Sequence, residues 1–320
     1  MPAPHAKGGK NSALEYPGAA LKAGILKLAD AHEKETLNKP HSLEGHVGVV
    51  DAYSMLWCFG FVPREEVLSK VLTAAETAIA IDERDARAQT AMGVAKLSAW
   101  DWLAAEQHLH AATEINPKLA TAHHWYALFL AASDRHEEAI KYSRRAVSLD
   151  PSPGMQTGLG AVLYFGHDWK QQITHMESTL KNSADFAPGL DWLGMAYVQE
   201  KQYDKALTTY EKAVELSGGL AEILAGLGHA YALAGETEKA REVLAKLQLM
   251  DEKWYVPPVQ IAYVLVGLGE TDEAFRYLDR AFHENSWELV FLRVEPWFDP
   301  LRDDPRFKRL EKSMGFPDRN

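Results

Sequence analysis

The feature that most constrains this chain is a segment of about 34 residues that recurs along most of its length. Successive copies start 34 or 33 residues apart, at Met92, Tyr126, Leu159, Leu193, Leu227 and Ile261. A fixed period in this range is typical of repeat proteins, in which each unit buries its apolar face against its neighbours. The 320 residues therefore predict a stacked array, although length alone would favour two globular domains.

Each unit has the pattern of two amphipathic helices joined by a short turn. Apolar residues recur at three- and four-residue spacing in both halves, and turn residues such as Gly235 and Gly269 separate them. Small residues such as Ala206 let the two helices approach closely. Pro117 and Pro151 end second helices, because proline is tolerated at a helix boundary but not in its interior.

This pattern resembles the tetratricopeptide repeat (TPR) family. The matching residues are the Leu193–Gly194 and Leu227–Gly228 pairs, Tyr197, Tyr231, Ala139, Ala206, Ala240, Ala274, Ala112, Ala146, Ala213, Ala281 and the terminal prolines. The resemblance covers roughly residues 46–317, but other residues, such as Gln89 and His123, fill the family's first tryptophan position. It implies an all-α fold, a right-handed superhelical solenoid of antiparallel helix pairs with about seven repeats plus capping helices. The end of the chain is similar to the C-terminal TPR arrays of bacterial regulatory proteins.

The ends of the array depart from the period, as expected of units that cap an open solenoid. Asp304 and Gly315 are the predicted N-cap and C-cap of a last helix, and Trp297, Phe298 and Phe307 are expected to cover the last repeat. The predicted organisation is a disordered N-terminus (1–17), an N-terminal capping helix or partial repeat (18–42), an irregular first TPR with a loop insertion (43–85), six TPR units (86–285) and a C-terminal helical cap (286–320).

Composition excludes several classes of function. Lys and Arg number 34 and Asp and Glu 45, giving a net charge of −11 that disfavours nucleic-acid binding. No stretch approaches the roughly 20 apolar residues that span a bilayer, and no secretory signal is recognisable, so we expect no membrane association and a cytoplasmic location. Export of a processed chain stays as an alternative. Cys58, the one cysteine, lies in an apolar run and is expected to be a small buried hydrophobe.

The histidines raise the possibility of a metal or acid/base site, most of all His123 and His124 in "AHHWYALFL". Adjacent helical residues diverge by about 100°, so the repeat frame directs His124 into the groove and turns His123 and Trp125 toward neighbouring helices. No H-E-x-x-H, G-x-S-x-G or phosphate-binding loop occurs. We therefore expect no enzyme, no catalytic or metal-binding residues and no cofactor. A metal-binding or enzymatic protein that uses groove histidines stays as an alternative.

In TPR proteins ligands lie in the concave groove lined by the first helices, which implies a partner-binding site here. The residues predicted to face that groove include Arg87, Thr90, His124, Tyr164, Asp191, Met195, His229 and Tyr263. Among these positions only Arg87 is basic, so the Lys, Asn and Arg cluster with which some family members grip a peptide carboxylate is absent. A partner with an apolar or aromatic stretch and some basic character fits better.

The sequence therefore predicts a non-catalytic scaffold that binds a protein or peptide segment in the groove. The alternative within the same fold is self-assembly, in which the ends of successive solenoids stack head to tail into an oligomer or filament. The aromatic C-terminal cap and the "CFGFVP" loop are the surfaces expected to make such contacts.

Overall fold

The computed structural model describes residues 18–318, and these form helices and short connections only. The α-helices are α1 Ala19–Asn38, α2 Leu43–Cys58, α3 Arg64–Ile81, α4 Ala86–Ser98, α5 Trp102–Ile115, α6 Ala120–Ala132, α7 His136–Leu149, α8 Pro153–Phe165, α9 Trp169–Leu180, α10 Ala187–Gln199, α11 Tyr203–Ser217, α12 Ala221–Leu233, α13 Thr237–Asp251, α14 Pro258–Gly267, α15 Thr271–Glu284 and α16 Pro305–Met314. Two 3₁₀ helices, η1 Trp287–Phe291 and η2 Pro296–Leu301, lie between α15 and α16. The disorder predicted for residues 1–17 falls outside the described residues.

The helices pack as antiparallel pairs, from α2 with α3 to α14 with α15, and the first helix of each pair also contacts the first helix of the next. The first helices are therefore covered on several sides, and most of their residues are buried, whereas the second helices bury one stripe. The prediction of an all-α solenoid of antiparallel helix pairs is confirmed. One continuous apolar core runs through it, from Ile25 to Phe316.

The turn inside each repeated unit has the same backbone geometry. Its central residue has a positive φ, between 57° and 84°, and the six such residues follow the repeat period: Trp100, Asp134, His167, Lys201, Gly235 and Gly269. In each case the next amide closes the helix end by donating to a carbonyl five residues back, as from Arg135 to Leu130 at 2.9 Å. Only two of the six residues are glycine. A non-glycine residue in the left-handed conformation costs about 1–2 kcal/mol, and the hydrogen bond at the helix end offsets this cost.

Close packing between units depends on glycines in the first helices. Tyr210 of α11 inserts its ring between α10 and α12, where Gly194 and Gly226 leave room for it. A Cβ atom on Gly226 would lie 2.6 Å from Cζ and 2.7 Å from the hydroxyl oxygen of Tyr210. The buried ring therefore fills the space between the two first helices only because neither of these residues has a side chain.

The first unit is longer than the others, but its additional residues do not lie where the sequence predicted them. We expected a loop insertion of about nine residues, but α2 has 16 residues and α3 has 18, against 13 and 14 in α4 and α5. Most of the added length therefore extends the two helices. The connecting segment from Phe59 to Pro63 is short, and Phe61 and Val62 within it are buried.

The two ends of the array meet, so the solenoid closes on itself. The Trp57 indole of α2 donates to the carbonyl of Asn285 at 3.1 Å, and a Cβ on Gly60 would lie 2.5 Å from Cγ of Pro257. The Trp102 indole donates to the carbonyl of Met314 in α16 at 2.8 Å. These contacts bury Phe61 and Val62 of the "CFGFVP" loop and Trp297 and Phe298 of the aromatic cap, whereas Phe59 is 37% exposed. Head-to-tail self-assembly through these surfaces stays a prediction.

Replacing Gly226 by alanine should lower the free energy of unfolding by about 1–3 kcal/mol, because the new methyl group overlaps the Tyr210 ring. Gly24→Ala in α1 is the matched control. Its Cβ meets nothing within 4 Å, so the better helix former should raise stability by about 0.5–1 kcal/mol. Urea unfolding followed by circular dichroism measures both, and equal effects at the two positions would contradict the packing argument.

Candidate partner-binding groove

The concave groove is formed by the inner faces of the first helices, and part of it is filled by the chain itself. Residues 286–301, here called the inner segment, run along it. Trp287 makes edge contacts with Trp57 of α2 and Trp125 of α6, at centroid distances of 5.1 and 6.1 Å. Phe291 stacks on Phe165 of α8 at 4.3 Å. The groove therefore has an apolar occupant that reaches from the first unit to the middle of the array.

The second half of the inner segment packs on the last two first helices. Trp297 stacks on His229 of α12 at 4.3 Å and meets Tyr263 of α14 edge-on at 4.7 Å. Phe298 contacts Tyr263 as well, and Phe307 of α16 lies behind Phe298. Trp297 and Phe298, two of the three aromatic residues predicted to cover the last repeat, do so from inside the groove.

Glu295 anchors the inner segment through a buried polar contact. Its Oε1 accepts the Tyr164 hydroxyl of α8 at 2.7 Å and the backbone amide of Trp297 at 3.0 Å, and Tyr263 donates to Oε2 at 3.5 Å. Only 2% of Glu295 is exposed. Burial raises the pKa of this carboxyl to about 7, while the hydrogen bonds from Trp297 and Tyr164 lower it, so the anchor changes charge near neutral pH.

Three of the predicted groove residues contact the inner segment directly. Tyr164, His229 and Tyr263 lie on the groove side, as the repeat frame predicts, and the chain's own C-terminal residues cover them. Burial lowers the pKa of His229 to about 4, and its Nδ1 lies 2.7 Å from the carbonyl oxygen of Tyr263. These side chains are therefore not free to contact another protein in this conformation.

Of the other residues predicted to face the groove, some are buried and one is exposed. Thr90 is buried and donates to the Ala86 carbonyl of its own helix, and Met195 is buried too. Asp191 is 4% exposed and forms no hydrogen bond or ion pair with any described residue. Arg87 is exposed and pairs with Asp85 and Glu44.

The two adjacent histidines lie in different surroundings. His123 is buried, stacks on Tyr142 of α7 and makes a 3.0 Å hydrogen bond with the Pro117 carbonyl, as expected of a packing residue. His124 is half-buried against Gly158 of α8, and burial lowers its pKa to about 4. Trp125 was expected to turn toward neighbouring helices, but it faces Trp287. The expectation was wrong because it did not include the returning segment.

Several inner-face residues were not predicted. Glu44, Asp51, Met55 and Cys58 form one stripe of α2 that is exposed or half-buried, and Glu44 meets Arg87 while Cys58 lies near Glu288 and Glu222. The stripe therefore faces the groove. Its spacing of three, four and seven residues is the signal that could have located it. Together with the inner faces of α4 and α6 this stripe forms what we call the open part of the groove.

Two further acidic residues complete the groove chemistry. Glu222 of α12 is exposed, although the surrounding protein raises its pKa well above the usual range. Glu288 of η1 accepts a hydrogen bond from Gln260 at 2.6 Å, and burial raises its pKa to about 7. Within residues 18–318 no group of three or more His, Cys, Asp or Glu side chains is placed to hold one metal ion.

Comparisons with known proteins agree with this architecture. Residues 120–153 and residues 197–255 match models of the tetratricopeptide repeat. The chain therefore carries tetratricopeptide repeats within a TPR-like solenoid. No curated protein matches the sequence.

Two solved structures show the same fold. A chain of the APC/C hetero-tetramer Cut9–Hcn1 is 16% identical, with a TM-score of 0.61 over 91% of this chain and 52% of that one. PilW, described as a widely conserved type IV pilus biogenesis factor, is 19% identical, with a TM-score of 0.50 over 63% of this chain and 93% of its own. The present chain thus spans about half of the hetero-tetramer chain, and at these identities the likeness shows the fold alone.

The helices of residues 18–318 include none with the length and apolar character needed to cross a bilayer.

Glu295→Gln should change how stability depends on pH. The folded pKa of about 7 lies above the usual value for an unfolded chain, so the stability this group contributes is complete at acidic pH and is lost as pH rises through 7. Between pH 5.5 and 8 the wild type should lose about 2 kcal/mol more than the variant, whose neutral amide can still accept both hydrogen bonds. Urea unfolding at the two pH values measures this difference, and Glu238→Gln on exposed α13 should behave like wild type.

Proposed function

We propose that this chain is a non-catalytic interaction scaffold that binds a segment of a partner protein in the open part of the groove. One observation carries the proposal: the inner segment contacts the groove from α2 to α14, but Asp51 and Met55 of α2 and Thr121 of α6 remain exposed. Thr121 lies one turn before Trp125, on the same side of α6, so it borders the region that the inner segment reaches.

The chemistry of this region supports a protein partner. Met55 and the half-buried Trp125 offer an apolar and aromatic surface, and the acidic residues beside them favour a partner with basic character. The net charge of −11 opposes binding to a nucleic acid. The similarity to C-terminal TPR arrays of bacterial regulatory proteins agrees with such a role, as does the hetero-tetrameric assembly of the Cut9 structure, although that assembly is known only for Cut9 and Hcn1.

A photo-reactive amino acid at position 121 should cross-link the partner. The matched control carries the same amino acid at position 208, where another exposed threonine lies on the outer helix α11. With the partner identified and purified, Thr121→Trp should raise its Kd at least tenfold by obstructing the groove, and Thr208→Trp should leave the Kd within twofold. Equal cross-linking at both positions, or an unchanged Kd for Thr121→Trp, would count against the proposal.

A further inference from the structure

Three carboxyl side chains, on α10, α12 and η1, lie near one another on the inner side of the array. They are Asp191, Glu222 and Glu288. Burial is the main cause of the raised pKa of Glu222, and repulsion from Asp191 and Glu288 adds to it, so both of these carboxyls are electrostatic neighbours of Glu222. Among the described residues, no Lys or Arg forms an ion pair with any of them.

A buried hydroxyl without a partner points to the same place. Tyr210 is fully buried, and its hydroxyl forms no hydrogen bond within the described part of the chain. It emerges between Gly194 and Gly226, and Asp191 and Glu222 lie one turn before these glycines, on the same helix faces. A buried polar atom without a partner is unusual and costly in a folded protein. Among the described residues, none pairs with this hydroxyl.

Asp191 gives a third observation of the same kind. It is 4% exposed and forms neither a hydrogen bond nor an ion pair with any residue in 18–318, although a buried carboxyl is normally paired. One oxygen of Glu288 is also buried without a partner, while the other accepts from Gln260. The site thus holds several acceptor oxygens on three elements and lacks donors.

We propose that Asp191, Glu222, Glu288 and the Tyr210 hydroxyl bind an organic cation, an ammonium or guanidinium group that enters through the open part of the groove. The proposal rests on the scaffold function above and adds the chemistry of what is bound. Ammonium and guanidinium groups carry several N–H donors at fixed positive charge, which matches a set of separated acceptors. The acidic side chains are too widely distributed to coordinate one metal ion together.

The path to the site is marked by residues that keep solvent contact. Glu222 is exposed although it lies inside the closed array, and Asp51 and Met55, in the same stripe of α2 as Cys58, are exposed too. A ligand with a cationic end and an apolar stem could therefore contact Met55 with the stem and the carboxylates with its charged end. Such a ligand is either a lysine or arginine side chain of a bound peptide or a free polyamine.

Isothermal titration calorimetry at 150 mM salt tests the proposal with two probes, an acetylated and amidated pentalysine peptide and spermidine. Asp191→Asn/Glu222→Gln should weaken binding at least tenfold. The matched control, Glu238→Gln/Glu242→Gln, removes the same charge from exposed positions on the outer helix α13 and should stay within twofold of wild type. Tighter binding of the peptide than of spermidine identifies a side chain as the natural cation, and the reverse identifies a small amine.

Three results would overturn the proposal. They are no binding of either probe to the wild type, equal loss of probe affinity in both double variants, and complete displacement of the bound probes by magnesium chloride. Glu288→Gln is a second variant in case the first unfolds, and it should also lose binding. The scaffold function has a separate readout. If Thr121→Trp weakens binding of the identified partner, the scaffold function is supported. If Asp191→Asn/Glu222→Gln leaves binding of the partner and of both probes unchanged, the proposal of a cationic ligand is refuted.

Discussion

The structure depends on one constraint, which is that the apolar inner faces of the first helices cannot be left in water. In this chain Phe165 and Leu128, among others, lie on that side, and burying such surface stabilises the fold by about 25 cal/mol per Å². The inner segment meets the constraint with Trp287, Phe291 and Trp297. Its position follows from this requirement, and so does the closure of the array, because the segment connects the last repeat to the first.

Covering an apolar groove with a piece of backbone brings polar groups into the interior. Glu295 and Tyr164 solve that problem together, since the hydroxyl donates to the carboxyl and the Trp297 amide donates as well. Asp191 and Tyr210 are not satisfied in this way. The groove therefore contains two kinds of buried polar residue. Glu295 and Tyr164 form hydrogen bonds that hold the inner segment in place. Asp191 and Tyr210 lie where the inner segment provides no hydrogen-bond partner.

The fold was predictable from sequence because its contacts are local and periodic. The frame that starts at Leu193 and Leu227 located the helix pairs, and the caps at Asp304 and Gly315 are those expected: the Asp304 side chain accepts from the Arg306 amide, and Gly315 has a φ of 63°. The frame also assigned His123 to packing, in agreement with its burial against Tyr142, whereas the groove role of His124 stays a prediction. Each of these inferences needs only residues within one or two units.

The site was predictable only in part, because the inner segment makes contacts across hundreds of residues of sequence. The frame placed Tyr164, His229 and Tyr263 on the groove side but could not show that Glu295 and Trp297 would cover them. It misjudged Trp125 for the same reason. A signal was present in "RVEPWFDPL", where Glu295 and Asp299 stand among aromatic and proline residues, but the sequence does not say which helix would receive them.

Contact between the two ends of the array limits the number of repeats that this protein can have. An open solenoid can gain or lose a unit at little cost, since each unit contacts only its neighbours. Here the Trp57 indole reaches Asn285, and Trp102 reaches Met314, only if the intervening units together bring those residues back into register. Inserting or deleting one 34-residue unit would move one end past the other and break both hydrogen bonds. The number of repeats is therefore set by geometry, as the number of strands is in a closed β-barrel.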